Sequence, residues 1–197
     1  MIPRRRYHVP ARLPQRLLAA VAHAEVLRGP ETGRLERRFE DLLDAPERGP
    51  TAVRATSSGR LALLDVLDAL GVRPPDVVML PAYTLGALVP LLRSRGFGIR
   101  CCDVEAPSPV MSARTVREAW VPGVRCVLAT HLFGSVVDVD AVGAIARDRG
   151  AVVVEDCAHA LGARLRHRPV GSLGDGAILS FDFLKPVNAF GGGMALV

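Results

Sequence analysis

The sequence predicts an α/β fold, a three-layer α/β/α arrangement in which a mostly parallel sheet lies between helices. After Pro50, short β-rich runs alternate with stretches of helical periodicity, which is typical of parallel strands joined by helical crossovers. Residues 151–154 are continuously apolar, as expected for a strand buried on both faces. With 197 residues, 49% of them hydrophobic, the chain is long enough to form a packed core.

Two helices are predicted ahead of this alternation. Residues 13–28 and residues 32–43 carry apolar side chains at helical spacing, and the second span also has a charged side. A Gly-Pro pair follows the first helix, and a proline at each end of the segment 46–50 terminates the second. We therefore predict an N-terminal helical arm over residues 1–50, packed on a main domain over residues 51–197.

The strand ends of the main domain are the places to search for a functional site. In parallel sheets, ligands bind beyond the carboxyl ends of the strands, so the residues that follow each strand are the candidates. The predicted strands are residues 51–56, 77–80, 98–102, 124–129, 151–155, 177–181 and 194–197, and the predicted helices are residues 59–70, 84–95 and 139–149.

The net charge of +5, from 25 basic and 20 acidic residues, gives little support to nucleic-acid binding. The basic residues are dispersed apart from two short clusters, and neither cluster has the interleaved aromatic residues of a single-strand binder. We therefore expect no nucleic-acid partner. The two clusters are Arg4-Arg5-Arg6 and Arg164 with Arg166 and Arg168.

Cysteine usage and hydropathy indicate a reduced protein of the cytoplasm. The four cysteines lack the paired spacing of a zinc site, so we expect no metal and predict four buried thiols. The first residues lack an apolar stretch of signal-peptide length, and no segment approaches the roughly 20 apolar residues that span a bilayer. We therefore expect a cytoplasmic location and no membrane partner. The cysteines are Cys101, Cys102, Cys126 and Cys157.

Lys185 is the only lysine among the 25 basic residues of the chain. A lysine amine can lose its proton when it is desolvated and then attack a carbonyl, whereas the guanidinium of arginine stays charged. A chain that otherwise uses arginine therefore has a chemical reason to keep this one amine. The alternative is a coding bias toward arginine that leaves a single surface lysine by chance.

Asp156 follows directly after the buried strand, and His159 lies three residues further on. A carboxylate in that position can keep a pyridine nitrogen protonated, which makes the ring an electron sink. His159 could contact the ring or its phenolic oxygen. The alternatives are an aspartate that caps the following turn and a histidine with a structural role.

Small hydroxyl residues and a glycine lie between the first predicted strand and its helix. The backbone N–H groups at Gly59 and Arg60, together with Ser58, could hold a phosphate at the positive end of that helix. Ser180, five residues before Lys185, is a second hydroxyl that could reach the same anion. The alternative is an ordinary serine N-cap.

The order of these segments resembles the DegT/StrS family of pyridoxal-phosphate-dependent sugar aminotransferases, which has the aspartate-aminotransferase-like fold of fold-type I enzymes. The resemblance covers nearly the whole chain from about residue 27, and the joint pattern is specific. The matching segments are an entry helix from Gly33 to Phe39-Glu40, SSGR at 57–60 with AL at 62–63, LPAYT at 80–84, HLFG at 131–134, EDCAHA at 155–160, GSLGD at 171–175, and SF at 180–181 leading to Lys185.

This resemblance implies roles for the candidate residues. Lys185 is expected to form the Schiff base with pyridoxal 5'-phosphate and to carry the proton during transamination. Asp156 is expected to pair with the pyridine nitrogen, and His159 to lie beside the cofactor. Leu85 occupies a position where many relatives stack an aromatic residue on the ring, and leucine covers that face without the π contact. The phosphate is assigned to Ser58, Gly59, Arg60 and Ser180.

The function implied is the transfer of an amino group from an amino acid to a keto sugar, which we expect to be linked to a nucleotide. The resemblance is to the large, cofactor-binding domain, and we expect residues 1–197 to contain no counterpart of the family's C-terminal small domain. A homodimer or a partner chain is expected to complete the pocket. The alternative is a cofactor-binding or regulatory subunit that needs a partner chain. The sugar, the amino donor and the stereochemistry are left open.

Overall fold

The computed structural model describes residues 12–22, 30–43 and 52–197. The N-terminal cluster Arg4-Arg5-Arg6, the predicted helical residues 23–28 and the segment 46–50 lie outside these ranges. In chain order, the described elements are α1 (Leu13–Ala22), α2 (Glu31–Leu43), β1 (Val53–Thr56), α3 (Gly59–Ala69), β2 (Val77–Pro81), α4 (Leu88–Ser94), β3 (Gly98–Cys102), α5 (Ala113–Ala119), β4 (Val124–Thr130), α6 (Val139–Asp148), β5 (Val152–Asp156), β6 (Arg164–Leu165), β7 (Arg168–Pro169), β8 (Gly176–Ser180) and β9 (Gly193–Leu196).

A seven-stranded sheet forms the centre of the described structure, with the strand order β1-β9-β8-β5-β4-β2-β3. The five strands β8, β5, β4, β2 and β3 are parallel to one another, and β9 is antiparallel to both β8 and β1. The sheet is therefore mostly parallel, as predicted. The carboxyl ends of β1, β2, β4, β5 and β8 consequently lie along one edge.

Helices cover both faces of this sheet. Consecutive residues of a strand point to opposite faces, so Leu80 packs in one apolar core while Met79 packs in another. The core that contains Leu80 also holds Leu63 of α3 and Leu92 of α4. The core that contains Met79 also holds Val142 of α6. The three-layer α/β/α fold class is thus confirmed.

Helix α2 packs against the strands at the β1 edge of the sheet. Its Phe39 ring lies 5.9 Å from the ring of Phe181, measured between centroids, and Phe39 is buried with Leu179 of β8. A carboxylate oxygen of Glu36, also on α2, accepts a hydrogen bond of 2.8 Å from the backbone N–H of Ala55. The division between an arm at residues 1–50 and a domain at residues 51–197 stays a prediction.

Three local expectations were wrong or incomplete. The helix predicted from residue 84 begins at Leu88, because the preceding segment forms a turn in which the Leu88 N–H donates to the Leu85 carbonyl. Helix α5 was missed, although Ser112 and Thr115 form a reciprocal capping box at its start. The thiol of Cys101 was predicted to be buried, but this residue is exposed on β3, which lies at an edge of the sheet.

The described helices are short. The longest of them, α2, has 13 residues. Within residues 12–22, 30–43 and 52–197, no helix combines the length and apolar character that crossing a bilayer requires.

Candidate active site

A cavity of about 760 Å³ lies at the edge of the sheet where the parallel strands end. Residues at or just beyond the carboxyl ends of β1, β2, β4, β5 and β8 contribute to its wall. The structure places all eight candidate residues around this one cavity, although their positions in the sequence range from 58 to 185. These residues are Ser58, Gly59, Arg60, Leu85, Asp156, His159, Ser180 and Lys185.

Lys185 lines the cavity, and its amine contacts the ring of His159. Its Nζ is 2.8 Å from the Nε2 of His159. The backbone N–H of Lys185 donates to the backbone carbonyl of Asp182 in a turn. Burial lowers the pKa of Lys185 from its ordinary value, and the carboxylates of Asp156 and Asp182 oppose this shift. The lysine is therefore a half-buried amine in contact with a histidine rather than a fully exposed charge, which argues against an accident of coding bias.

The pKa of His159 is lowered first by burial and then by the positive charge of Lys185, while Asp156 opposes the shift. In the cofactor-free chain, replacing Lys185 with methionine should therefore raise the pKa of His159, because a neighbouring cation has gone. A pH titration of the His159 ring signals by NMR, assigned with a His159→Gln variant, measures this change.

The matched control is Lys185→Arg, which keeps a positive charge beside the ring. In that variant, the pKa of His159 should stay low. Equal values for His159 in the methionine and arginine variants would show that the 2.8 Å contact is absent in solution.

Asp156 ends β5 and is only 6% exposed. Its Oδ1 accepts a hydrogen bond of 3.0 Å from the N–H of Ala158, so the turn-capping role is realised. Burial raises the pKa of Asp156, and the hydrogen bond from Ala158 and the charge of Lys185 oppose the shift. A cation bound in the cavity would further favour the carboxylate form.

The start of α3 and the end of β8 approach each other closely on another side of the cavity. Ser58 is the N-cap of α3, and its Oγ accepts the N–H of Leu61 at 3.3 Å. A Cβ at Gly59 would lie 3.0 Å from the Cβ of Ser180 and 3.1 Å from the carbonyl oxygen of Leu179. Glycine thus permits the approach that brings Ser180 beside the first amides of α3, which have no partner inside the helix.

Aromatic residues that the sequence analysis did not assign form part of the cavity wall. The ring of Phe133 lies 6.0 Å from the rings of both Tyr83 and His159, measured between centroids. Phe133 has a φ of 52°, in a tight turn closed by hydrogen bonds between Leu132 and Ser135. Leu85 also lines the cavity and is 52% exposed. The side chains available to cover a ring therefore include Tyr83 and Phe133 as well as Leu85.

Two threonine hydroxyls in the cavity wall were also missed. The Oγ1 atoms of Thr84 and Thr130 are buried, and neither finds a hydrogen-bond partner within the described part of the chain. Thr84 ends the LPAYT segment that carries the family resemblance, and Thr130 directly follows the predicted strand 124–129. Nothing in their spacing alone distinguishes them from other threonines.

Glu155 lies next to the cavity residue Asp156 but points into the protein interior. It is fully buried, and its carboxylate accepts four hydrogen bonds of 2.7 to 3.0 Å. The donors are the Nε2 of His131 and the backbone N–H groups of Gly171, Leu173 and Gly174. One side chain thus fixes both the end of β4 and the loop that precedes β8.

His131, Glu155 and Cys157 place potential metal ligands within 4.8 Å of one another. The Nδ1 of His131 accepts the N–H of Val137 at 3.1 Å, so the Nε2 carries the hydrogen that it donates to Glu155. Both ring nitrogens and both carboxylate oxygens already have partners in this arrangement. We therefore interpret the cluster as a structural hydrogen-bond network.

Comparison with known proteins places this geometry in a family. The profile of the DegT/DnrJ/EryC1/StrS aminotransferase family matches residues 11–197. Protein MosB of Rhizobium meliloti is 38% identical over 160 residues, which are 80% of this chain and 30% of MosB. GDP-perosamine synthase of Vibrio cholerae is 27% identical over 169 residues, which are 86% of this chain and 45% of that enzyme.

A solved structure shows the same relationship. The aminotransferase from Psychrobacter cryohalolentis superposes with a TM-score of 0.84 at 25% identity, over 92% of this chain and 46% of the other. This chain thus spans less than half the length of each of these relatives. Because the family profile covers nearly the whole sequence, the chain belongs to the DegT/DnrJ/EryC1/StrS aminotransferase family, whose cofactor is pyridoxal phosphate.

Proposed function

We propose that this chain is the cofactor-binding part of an aminotransferase that moves an amino group from an amino acid to a keto sugar carried on a nucleotide. Membership in the aminotransferase family supports the reaction class. The similarity to GDP-perosamine synthase supports a nucleotide-linked sugar. The observation that carries the proposal is the half-buried Lys185 amine, which lies 2.8 Å from His159 in the cavity that also contains buried Asp156.

The residues around the cavity fit pyridoxal phosphate. Asp156 offers a buried carboxylate to a ring nitrogen, and the capped start of α3 with Ser180 offers N–H and hydroxyl groups to a phosphate. The unpartnered hydroxyls of Thr84 and Thr130 require hydrogen-bond partners that the described chain does not supply. We therefore assign the phosphate to the region of Gly59 and Ser180, and the ring to the space above Asp156.

When bound, pyridoxal phosphate supplies an aldehyde that condenses with amines and a ring that accepts electrons. Lys185 provides the nucleophilic amine, because burial favours its neutral form. The negative charge of Asp156 would stabilise a proton on the ring nitrogen of the bound cofactor. His159 hydrogen-bonds to the Lys185 Nζ and so holds that amine in the cavity when it is free.

The donor half of the reaction tests this function. The chain loaded with pyridoxal phosphate is mixed with each proteinogenic amino acid in turn, and the 2-oxo acid is measured by mass spectrometry. We expect at least one amino acid to yield its 2-oxo acid in an amount equal to the bound cofactor. Asp156→Asn should slow this conversion by about 100-fold, since loss of a charge-assisted hydrogen bond costs about 1.5–3 kcal/mol.

The chain covers only part of each relative, which supports a second candidate: a cofactor-binding or regulatory subunit that needs a partner chain for amino transfer. The same experiment separates the two. Binding of the cofactor with no 2-oxo acid from any donor would favour this second candidate. Formation of a 2-oxo acid by the isolated chain would exclude it, and failure to bind the cofactor would contradict both.

A further inference from the structure

Thr130 is the last residue of β4 and lines the cavity. Only 3% of its surface is exposed. Its Oγ1 is buried, and no atom of the described chain accepts from it or donates to it. The family resemblance described above gives no role to this residue.

A buried hydroxyl without a partner is unfavourable. Most buried polar side-chain atoms in proteins are hydrogen-bonded, and leaving one unsatisfied costs about 1–3 kcal/mol. Valine has nearly the same shape and would fill the same space without that cost. The hydroxyl of Thr130 therefore needs a partner that enters the cavity from outside the chain.

The register of the sheet tells which part of a ligand this hydroxyl faces. Thr130 on β4 lies directly opposite Asp156 on the parallel strand β5. Because in-register residues of neighbouring strands project from the same face of a sheet, the Thr130 hydroxyl and the Asp156 carboxylate approach the cavity side by side. A group that pairs with Asp156 consequently has Thr130 as its neighbour.

We propose that the hydroxyl of Thr130 is a direct hydrogen-bonding contact of the bound cofactor, made to a polar atom of its pyridine ring. The inference rests on the proposed function, because it takes pyridoxal phosphate as the ligand of the cavity. It adds a binding residue on β4 to those on β5 and β8. Thr130 thus contributes to the affinity for the ring, independently of the covalent chemistry of Lys185.

The decisive variant is Thr130→Val, studied in the full chain. The probe is 4-deoxypyridoxine 5'-phosphate, which has the ring and the phosphate but no aldehyde for Lys185. Its affinity, measured by calorimetry, should fall about tenfold in the variant, as expected for one lost hydrogen bond. The melting temperature of the cofactor-free variant should equal or exceed that of the wild type. Thr130→Ser keeps the hydroxyl and should retain the affinity.

Thr115→Val is the matched control. Thr115 is also buried, at 2% exposure, but its Oγ1 accepts from the Ser112 N–H and donates to the Ser112 carbonyl, at the start of α5. The same chemical change should therefore lower the melting temperature of the cofactor-free chain and leave the affinity for the probe unchanged.

Two results would overturn the inference. If Thr130→Val bound the probe as tightly as the wild type, the hydroxyl would not contact the ring. If the variant destabilised the cofactor-free chain as much as Thr115→Val does, the hydroxyl would already have a partner in that state. A wild-type chain that bound neither the probe nor pyridoxal phosphate would instead contradict the proposed function itself.

Discussion

Replacing Lys185 with alanine should abolish the covalent capture of pyridoxal phosphate by this chain. The sequence contains no other lysine, and the Nζ of this one lies in the cavity beside His159. Burial lowers its pKa, so a larger fraction of the amine is unprotonated and nucleophilic at neutral pH than for a surface lysine. No second amine in the described cavity can replace it, because arginine does not form a Schiff base under these conditions.

The measurement is mass spectrometry after borohydride reduction of the protein mixed with pyridoxal phosphate. In the wild type, the added mass should map to the peptide that contains Lys185, and in Lys185→Ala the labelling should fall to background. Lys185→Arg should also show only background labelling, because a positive charge without a nucleophilic amine does not form the covalent bond.

A useful control is Arg54→Lys, which places an amine on an exposed position outside the cavity. The label should remain on Lys185 in this variant, with little on residue 54. Cofactor mass distributed equally between the two amines, or retained in Lys185→Ala, would contradict the assignment.

Glu155→Gln should cause the largest loss of stability among conservative single substitutions in the described core. The carboxylate accepts four hydrogen bonds in a fully buried position, three of them from backbone N–H groups at residues 171–174. Glutamine has one acceptor oxygen and turns an NH₂ group toward donors. Hydrogen bonds to a charged group contribute about 1.5–3 kcal/mol each, so we expect the free energy of unfolding to fall by about 3–5 kcal/mol.

For a chain of this size, such a loss lowers the melting temperature by about 10 °C, which calorimetry or circular dichroism can measure. The control is Glu118→Gln. Glu118 is exposed and pairs with Arg114 on the surface of α5, and surface ion pairs contribute at most about 1 kcal/mol. Equal melting temperatures for the two variants would mean that the Glu155 network does not hold the loop.

The sheet, and the position of the candidate site residues at its edge, could be predicted because their signals are local. The alternation of apolar runs and helical stretches identified strands such as β5, and Asp156 was found because it follows directly after that strand. Lys185 was conspicuous as the only lysine, a fact that needs no structure. The eight candidate residues converge on one cavity because parallel strands place their carboxyl ends at the same edge.

The remaining features depend on contacts between distant segments. Thr130 and Phe133 are ordinary residues in the sequence, and only the tertiary arrangement leaves one hydroxyl unpaired and brings one ring beside His159. Helix α5 was missed because it has only seven residues, and its capping box uses Thr115 where the usual signature has an acidic or amide residue. Cys101 is exposed because β3 is an edge strand, and strand order cannot be deduced from composition.

The position of β9 has a consequence for how the protein is made on the ribosome. This strand lies between β1 and β8 and pairs with both. Synthesis proceeds from the N-terminus, so β1 leaves the ribosome well before residues 193–196, which form β9. Ser58 and Ser180 therefore reach their final separation only after β9 has inserted. We therefore expect cofactor binding to follow the emergence of β9, so a translation intermediate that lacks β9 should remain cofactor-free.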